Sequence, residues 1–403
     1  MTLIPDDPRI LATTVADSLI VAHDRAGRYA SLPYWERAQP WVHAVSDAAA
    51  SVGVPEIVDA AAELCAAPAS YRRYEDFRTV LCREATDNAK VVDLLLLGWR
   101  AQINTRLGYH IGCDYVGSRE SVTVARLLEA GARSAAAAVA DPKAVIVIPF
   151  RDTTESSSRL RNLLSCLLSL RDQSIGSENF CVTVVETDEI PRWGPLFEPF
   201  CDQYVFAPSG RPFNRSWAVN VGVRNTPGDW DLICVMDADV LADRDFVRRN
   251  VERFLQPGAS AVLPYRDMLC LDASASDAAI AARVEEGVGD PPSASLRGFS
   301  VRRPPGCCGW IRRESFDRVG GMDERYEGWG GEDTDFAFRA NLDGGLDRYP
   351  DRLLHLHHDP SADVANGEVQ NLDIAPLSWP KDRVIGELDK YAPVSPLTRG
   401  RSR

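Results

Sequence analysis

The sequence predicts an α/β protein: a mostly parallel sheet flanked by helices, with an all-α N-terminal domain before it. Two observations carry this. From Ala144 onward, short apolar runs alternate with amphipathic stretches at helical spacing, the pattern of strand–helix–strand units. Before about residue 140 the apolar residues recur at helical spacing alone. The 403 residues suffice for two or three domains. The expected divisions are 1–140 (helical), 141–375 (the α/β domain) and 376–403 (a C-terminal extension).

The elements follow in order. Asp7–Ala22 carries Ile10, Leu11, Val15, Leu19 and Ile20 at helical spacing, with Gly27 after it as a stop. Pro55 stands where a helix starts before Glu56–Ala66. Tyr71–Leu81 and Asn88–Leu107 read as longer helices, and the Ala-rich Ser121–Ala138 favours helix. The pattern changes near Asp141–Pro142. Ala144–Ile148 (AVIVI) reads as a fully buried strand, followed by a helix at Arg159–Asp172. Strands are expected at Phe180–Glu186, Tyr204–Phe206, Asp231–Met236 and Ala259–Pro264, with helices at Asn214–Asn225 and Asp245–Leu255. From Asp359 the chain is polar and proline-rich, which predicts loops, a short helix at Lys381–Tyr391 and a basic tail.

Composition excludes several classes. A 45% hydrophobic and 26% charged chain is not disordered as a whole. Its 45 Lys and Arg against 58 Asp and Glu give a net charge of −13, with no general attraction to nucleic acid or anionic membrane. No stretch approaches the roughly 20 apolar residues of an integral membrane segment. Met1–Ile10, with Asp6 and Asp7, lacks the basic start of a signal peptide. A cytoplasmic location is therefore expected. The ten cysteines form no CxxC pair, which favours reduced thiols over a zinc cluster. The Cys307–Cys308 doublet reads as small, semi-buried packing.

Five segments carry chemistry. Asp237-Ala238-Asp239 follows a predicted buried strand directly. Carboxylates at a strand's end face the ligand crevice of an open sheet, and hard oxygens there suit Mg2+ or Mn2+. The same pair also fits a helix cap or a solvated turn. In Gly328-Trp329-Gly330-Gly331-Glu332-Asp333, glycines admit a close ligand and Trp329 offers a flat face to a sugar ring. The acids stand at a helix start, where they also complement the dipole. His355-Leu356-His357-His358 holds three of the six histidines in the chain, and imidazole is a common ligand for a divalent metal. Ile148-Pro149-Phe150-Arg151-Asp152 and Phe213-Asn214-Arg215 each set an arginine beside an aromatic. This combination suits a diphosphate and a base.

In this order, the segments IPFRD, FNRSWAVNVG, VMDADV, GGMDERYEGWGGEDTDFAFR and HLHHD resemble the GT-A fold nucleotide-sugar glycosyltransferases. The likeness is to the β-1,4-galactosyltransferase and polypeptide N-acetylgalactosaminyltransferase type and to the broad bacterial family 2. It covers Ala144–Asp359, and residues 1–140 carry no part of it. The resemblance implies that Pro149, Phe150, Arg151, Phe213 and Arg215 hold uridine diphosphate, with Glu186 at the base or ribose. It implies Asp239 as a metal ligand, with Asp237 near the ribose or metal. His355 and His358 stand where the galactosyltransferases place their last two ligands, Met and His, and His358 is the better match. Trp329 and Glu332 would contact sugar, and Asp333 would be the catalytic base. Thr334 interrupts a run of three acids, and Thr153 stands where a second Arg is often found.

The implied function is inverting transfer of a hexose or N-acetylhexosamine from a UDP-sugar to an acceptor, with Mn2+ or Mg2+ as cofactor. The acceptor is left open among a glycan, a peptide and a small natural product. The helical domain is expected to recognise the acceptor or to form a homodimer. The alternatives are a sugar-1-phosphate nucleotidyltransferase and a non-catalytic nucleotide-sugar-binding protein. The first expects a glycine-rich loop after the first strand, where this chain has PFRDTTE. The second expects a lost base or metal site, while Asp239, Asp333 and His358 are all present.

Overall fold

The computed structural model describes residues 4–24, 32–86, 88–132, 143–153, 156–359 and 371–392. Five helices open the chain: α1 (Pro8–His23), α2 (Leu32–Ser51), α3 (Pro55–Ala66), α4 (Tyr71–Glu84) and α5 (Ala89–Thr105). Then come β1 (Leu107–Ile111), α6 (Val124–Ala132), β2 (Ala144–Phe150), α7 (Ser158–Arg171), β3 (Phe180–Asp188), α8 (Gly194–Phe197) and β4 (Gln203–Pro208). They are followed by α9 (Arg215–Asn225), β5 (Leu232–Met236), β6 (Val240–Leu241), α10 (Phe246–Leu255), β7 (Ala261–Leu271) and α11 (Ala273–Ile280). The last elements are β8 (Arg297–Arg302), β9 (Cys308–Arg312), α12 (Arg313–Arg318), α13 (Glu332–Gly344) and β10 (Leu346–His355).

The chain divides into two compact units. The first holds residues 1–122, 267–304 and 352–360, and the second holds 123–266, 305–351 and 361–403. This differs from the sequential split expected from composition. The reason is strand pairing: β1 pairs antiparallel with β8, Leu107 facing Val301, and β8 pairs with the end of β7, so a later excursion joins the N-terminal helices.

In the first unit the helices begin and end on local signals. Asp7 caps α1, its carboxylate accepting from Arg9 N at 2.9 Å, and Pro8 occupies the first turn. Ser70 and Asn88 cap α4 and α5 in the same way. The expected helix to Leu107 stops at Thr105, because Arg106 takes a left-handed conformation (φ +57°) and turns the chain into β1. Helix α2 falls within the stretch expected to be helical but was not delimited there; Pro40 lies inside it. Gly27 and residues 133–138 lie outside the described residues.

The second unit is built on four parallel strands in the order β4-β3-β2-β5. Strands β2, β3 and β5 are buried along their whole length, the pattern of a parallel sheet covered on both faces. The sheet is less uniformly parallel than the sequence suggests, because β9 runs antiparallel to β5 and pairs with the start of β7. Helix α9 is buried over most of its surface against Val147, Val185 and Val235. The helix expected at Lys381–Tyr391 is absent: the segment forms turns and is held by tertiary bonds instead. Gly386 N donates to Glu324 Oε1 at 2.7 Å, Trp217 Nε1 to the Glu387 carbonyl at 2.9 Å, and Lys390 Nζ to Glu324 Oε2 at 2.5 Å. No helix among the described residues is long and apolar enough to cross a membrane.

Candidate active site

The site lies where β5 ends and where α9 and α13 begin. Apolar Leu232–Met236 is buried, and the chain leaves the sheet at Asp237, whose N–H donates to the Cys307 carbonyl at 2.8 Å. Asp237, Ala238 and Asp239 are half-buried. Asn214 caps α9, its side chain accepting from Trp217 N at 2.8 Å, so Arg215 is fixed as the first helical residue.

Arg215 joins two of the motifs. Its Nε and Nη2 meet Asp237 Oδ1 at 2.7 and 2.6 Å, and its Nη1 meets Asp333 Oδ1 at 2.6 Å. The guanidinium is almost wholly buried, and the paired carboxylates more than offset the cost of burying its charge. The sequence reading set Arg215 against a diphosphate. The structure shows all three of its nitrogens turned to carboxylates.

The glycine-rich segment bends because Gly328, Gly330 and Gly331 all have positive φ (+69°, +105°, +101°), a region that other residues rarely enter. Helix α13 then opens with Glu332, Asp333 and Asp335 in its first turn, where acids complement the dipole. Asp335 is internal and structural: it pairs with Arg339 at 2.8 Å and accepts from Leu377 N at 2.7 Å. Trp329 is half-exposed. The Oε2 atom of Glu332 is buried and has no hydrogen-bond partner among the described residues. Burial, with the Asp333 charge adding, raises the Glu332 carboxyl to about 7. Burial likewise raises Asp237 to about 6, against Arg215 and with Asp239 and Asp333 adding.

The other expected site residues fall differently. Arg151 is part-buried and donates to the carbonyls of Thr187 (2.5 Å), Arg211 (2.8 Å) and Ser209 (3.2 Å), tying the ends of β3 and β4 to the segment before α9. Its guanidinium stands 5.8 Å from the half-buried Phe213 ring. Pro149 and Phe150 are buried, and Phe150 packs edge-on against Phe197 with ring centroids 5.6 Å apart. Phe150 is therefore a core residue rather than an exposed stacking surface. Glu186 is also buried: its two oxygens accept from the backbone N–H groups of Arg192, Trp193 and Gly194 and from Tyr204 Oη. That buried carboxylate anchors the turn before α8 and is turned inward rather than exposed to a base or ribose.

At the end of β10, His355 and His358 are half-buried, with ring centroids 5.4 Å apart. The His358 Nδ1–H donates to the Asp359 carbonyl at 2.8 Å, which places the ring's lone pair on Nε2. His357 donates its backbone N–H to Ser276 Oγ at 2.8 Å.

Two contributors escaped the sequence reading. Gly306 abuts Asp333: a Cβ there would lie 1.8 Å from Asp333 Oδ2. Cys307, which receives the Asp237 N–H, has a left-handed backbone (φ +71°), strained for a residue other than glycine. The Pro-Pro-Gly run at 304–306 was the available signal, since it marks a tight turn.

Residues 145–320 match the family model described as glycosyl transferase family 2. Residues 299–359 match the model described as the N-terminal domain of galactosyltransferase. No curated protein matches the chain in sequence. Among solved structures, the chain is similar to the catalytic domain of Drosophila β1,4-galactosyltransferase 7 in complex with xylobiose. That match has 18% identity, 51% of this chain, 64% of that one and a TM-score of 0.30. It is also similar to a mannosyltransferase from Pyrobaculum calidifontis in complex with GDP-Man and Mn2+ (16%, 57% and 62%, TM-score 0.36). A third is S. aureus TarS 1–349 (13%, 53% and 60%, TM-score 0.37). Each match spans less than two thirds of the solved chain.

Proposed function

We propose that this chain, matched by glycosyltransferase models over residues 145–320 and 299–359, is a GT-A type glycosyltransferase that moves a hexose or N-acetylhexosamine from a UDP-sugar to an acceptor hydroxyl with inversion. The observation that carries this is the bridge made by Arg215. One buried guanidinium gathers the aspartate at the end of β5 and the aspartate of the glycine-rich segment, at 2.6–2.7 Å. Motifs almost a hundred residues apart thus meet at one rim.

In this reading Asp333 is the base. It takes the proton from the acceptor hydroxyl as that oxygen attacks the anomeric carbon. Arg215 keeps Asp333 aimed through its 2.6 Å contact with Oδ1. Trp329 gives the sugar a flat apolar face. The buried Oε2 of Glu332 gains a partner when a sugar hydroxyl reaches it, and its raised proton affinity lets the carboxyl donate near neutral pH. Phe213 and the carbonyl-braced Arg151 form the nucleotide edge.

The proposed metal ligands are Asp239, His355 and His358, the set that the sequence motifs imply. One carboxylate and two imidazoles form a mixed oxygen and nitrogen donor set, which suits Mn2+ better than the all-oxygen preference of Mg2+. When bound, the ion would neutralise the charge that develops on the leaving diphosphate. The helical N-terminal residues 1–140 are assigned, in this reading, to acceptor recognition or self-association.

The test is a donor screen with Mn2+, reading UDP release with and without glycan, peptide and small-molecule acceptors. Asp239→Ala is expected to abolish Mn2+-dependent UDP binding. Asp333→Asn is expected to retain UDP binding and lose transfer; transfer at the parental rate would remove Asp333 from the role of base.

A further inference from the structure

The loop that carries Trp329 has little stiffness of its own. Three of the four residues Gly328–Gly331 are glycines at positive φ, so the backbone allows many alternatives. A ring that meets a sugar at a fixed height needs such a loop held from outside.

Two groups hold it. On one side, Gly328 N–H donates to the Phe213 carbonyl at 2.9 Å, and Arg211 pairs with Glu327 at 2.9 Å. On the other, Asn371 reaches in from the C-terminal segment. Its Nδ2 donates to the carbonyls of Glu327 and Gly330, each at 3.0 Å, and its Oδ1 accepts from Glu327 N–H at 3.2 Å. One amide therefore closes both flanks of Trp329. Asn371 has a φ of +66°, a left-handed conformation that asparagine tolerates better than most residues. The pattern requires a donor and an acceptor on one short planar group. Aspartate lacks the donor and would set a charge against two carbonyls.

We propose that Asn371 is a positioning residue for sugar recognition: it fixes the height and tilt of Trp329 without touching the sugar. This rests on the reading of Trp329 as the sugar platform. Trp329 and Asn371 then act as a unit, so their losses do not add.

The test is a double-mutant cycle of Trp329→Ala and Asn371→Ala with Mn2+. It follows UDP release from whichever of UDP-galactose, UDP-N-acetylgalactosamine and UDP-N-acetylglucosamine the parent turns over. Each single change is expected to lower kcat/KM about 10- to 100-fold, the scale of a misplaced binding group. The double variant is expected to be no worse than Trp329→Ala alone. UDP affinity by calorimetry and the thermal midpoint are expected to stay at the parental values. Asn371→Gly, which relieves φ and removes the amide, is expected to behave as Asn371→Ala. Fully additive losses, or an Asn371→Ala protein as active as the parent, would overturn the proposal. Hydrogen exchange of the amides of residues 327–331 supplies a readout that does not depend on turnover: faster exchange in Asn371→Ala supports the clasp, and unchanged exchange refutes it. A parent that releases UDP from none of the three donors would count against the transferase reading, while the exchange measurement still decides the clasp.

Discussion

Arg215 faces two carboxylates with Glu332 close by, so the local charge stays negative after pairing. Its fork is what allows the bridge. A lysine ammonium is a point charge and cannot serve both partners in the same geometry. Arg215→Lys is therefore expected to cut kcat about 100-fold with a much smaller change in UDP affinity, measured by calorimetry. A large loss of UDP binding with kcat preserved would instead make Arg215 a diphosphate ligand. Glu332 adds a pH dependence. Its folded-state proton affinity lies at about 7, above the ordinary carboxyl value of 4.5. The folded protein thus binds more protons than the unfolded chain between these two values. That contribution to stability is present below about pH 4.5 and is lost as pH rises through 7. Glu332→Gln keeps the shape and removes the titration. The variant is expected to gain roughly 2–4 °C of thermal midpoint over the parent at pH 8 and to gain nothing at pH 4. Equal midpoints at both pH values would show that the carboxyl carries no burial penalty.

At the scale of elements, the turn before β9 and the start of α13 are fitted to each other. Gly306 leaves the space that Asp333 Oδ2 occupies. Gly306→Ala is expected to displace the Asp333 side chain and abolish transfer while far-UV circular dichroism stays parental. Retained transfer would mean that Asp333 has another productive position. Such fits mark the limit of what the sequence discloses. Helices α1, α3, α4 and α9 were legible because each has a cap or proline at its start and apolar residues at one spacing. Strands β2, β3 and β5 were legible as uninterrupted apolar runs. The motifs at Asp237–Asp239, Gly328–Asp333 and His355–His358 were legible because unusual residues cluster there. Strands β8 and β9 were not, since their pairing depends on partners far along the chain. The roles of Phe150 and Glu186 were misread for a related reason: residue type names a chemistry, and only burial says whether the group faces a ligand or the core. Asn371 gave no signal, because its three bonds reach a loop more than forty residues away. The turns of Lys381–Tyr391 likewise depend on Glu324, a buried anchor outside any local pattern.

Each unit of the molecule also keeps a charged group inside it. In the second, Glu324 is almost fully buried and accepts from Asn220 Nδ2, Gly386 N–H and Lys390 Nζ, which binds the C-terminal segment to α9. In the first, Arg297 is 5% exposed and pairs with Asp24 and Asp272, while its Nε donates to Tyr109 Oη at 2.6 Å. These partners come from the end of α1, the cap of α11 and β1, so one guanidinium closes three separated stretches of chain. Asp272 keeps a second duty, since its Oδ1 accepts from Ala275 N at 2.7 Å and caps α11. A buried pair contributes little compared with an apolar replacement, but removing one partner strands the other's charge. Arg297→Ala leaves two carboxylates without their cation and is expected to cost about 3–5 kcal/mol, read as a lower urea midpoint by far-UV circular dichroism. Adding Asp24→Leu to Arg297→Met removes one stranded charge and restores apolar volume, so that double variant is expected to recover most of the loss. If Arg297→Ala unfolds at the parental midpoint, the closure of the first unit rests on its apolar helix contacts alone.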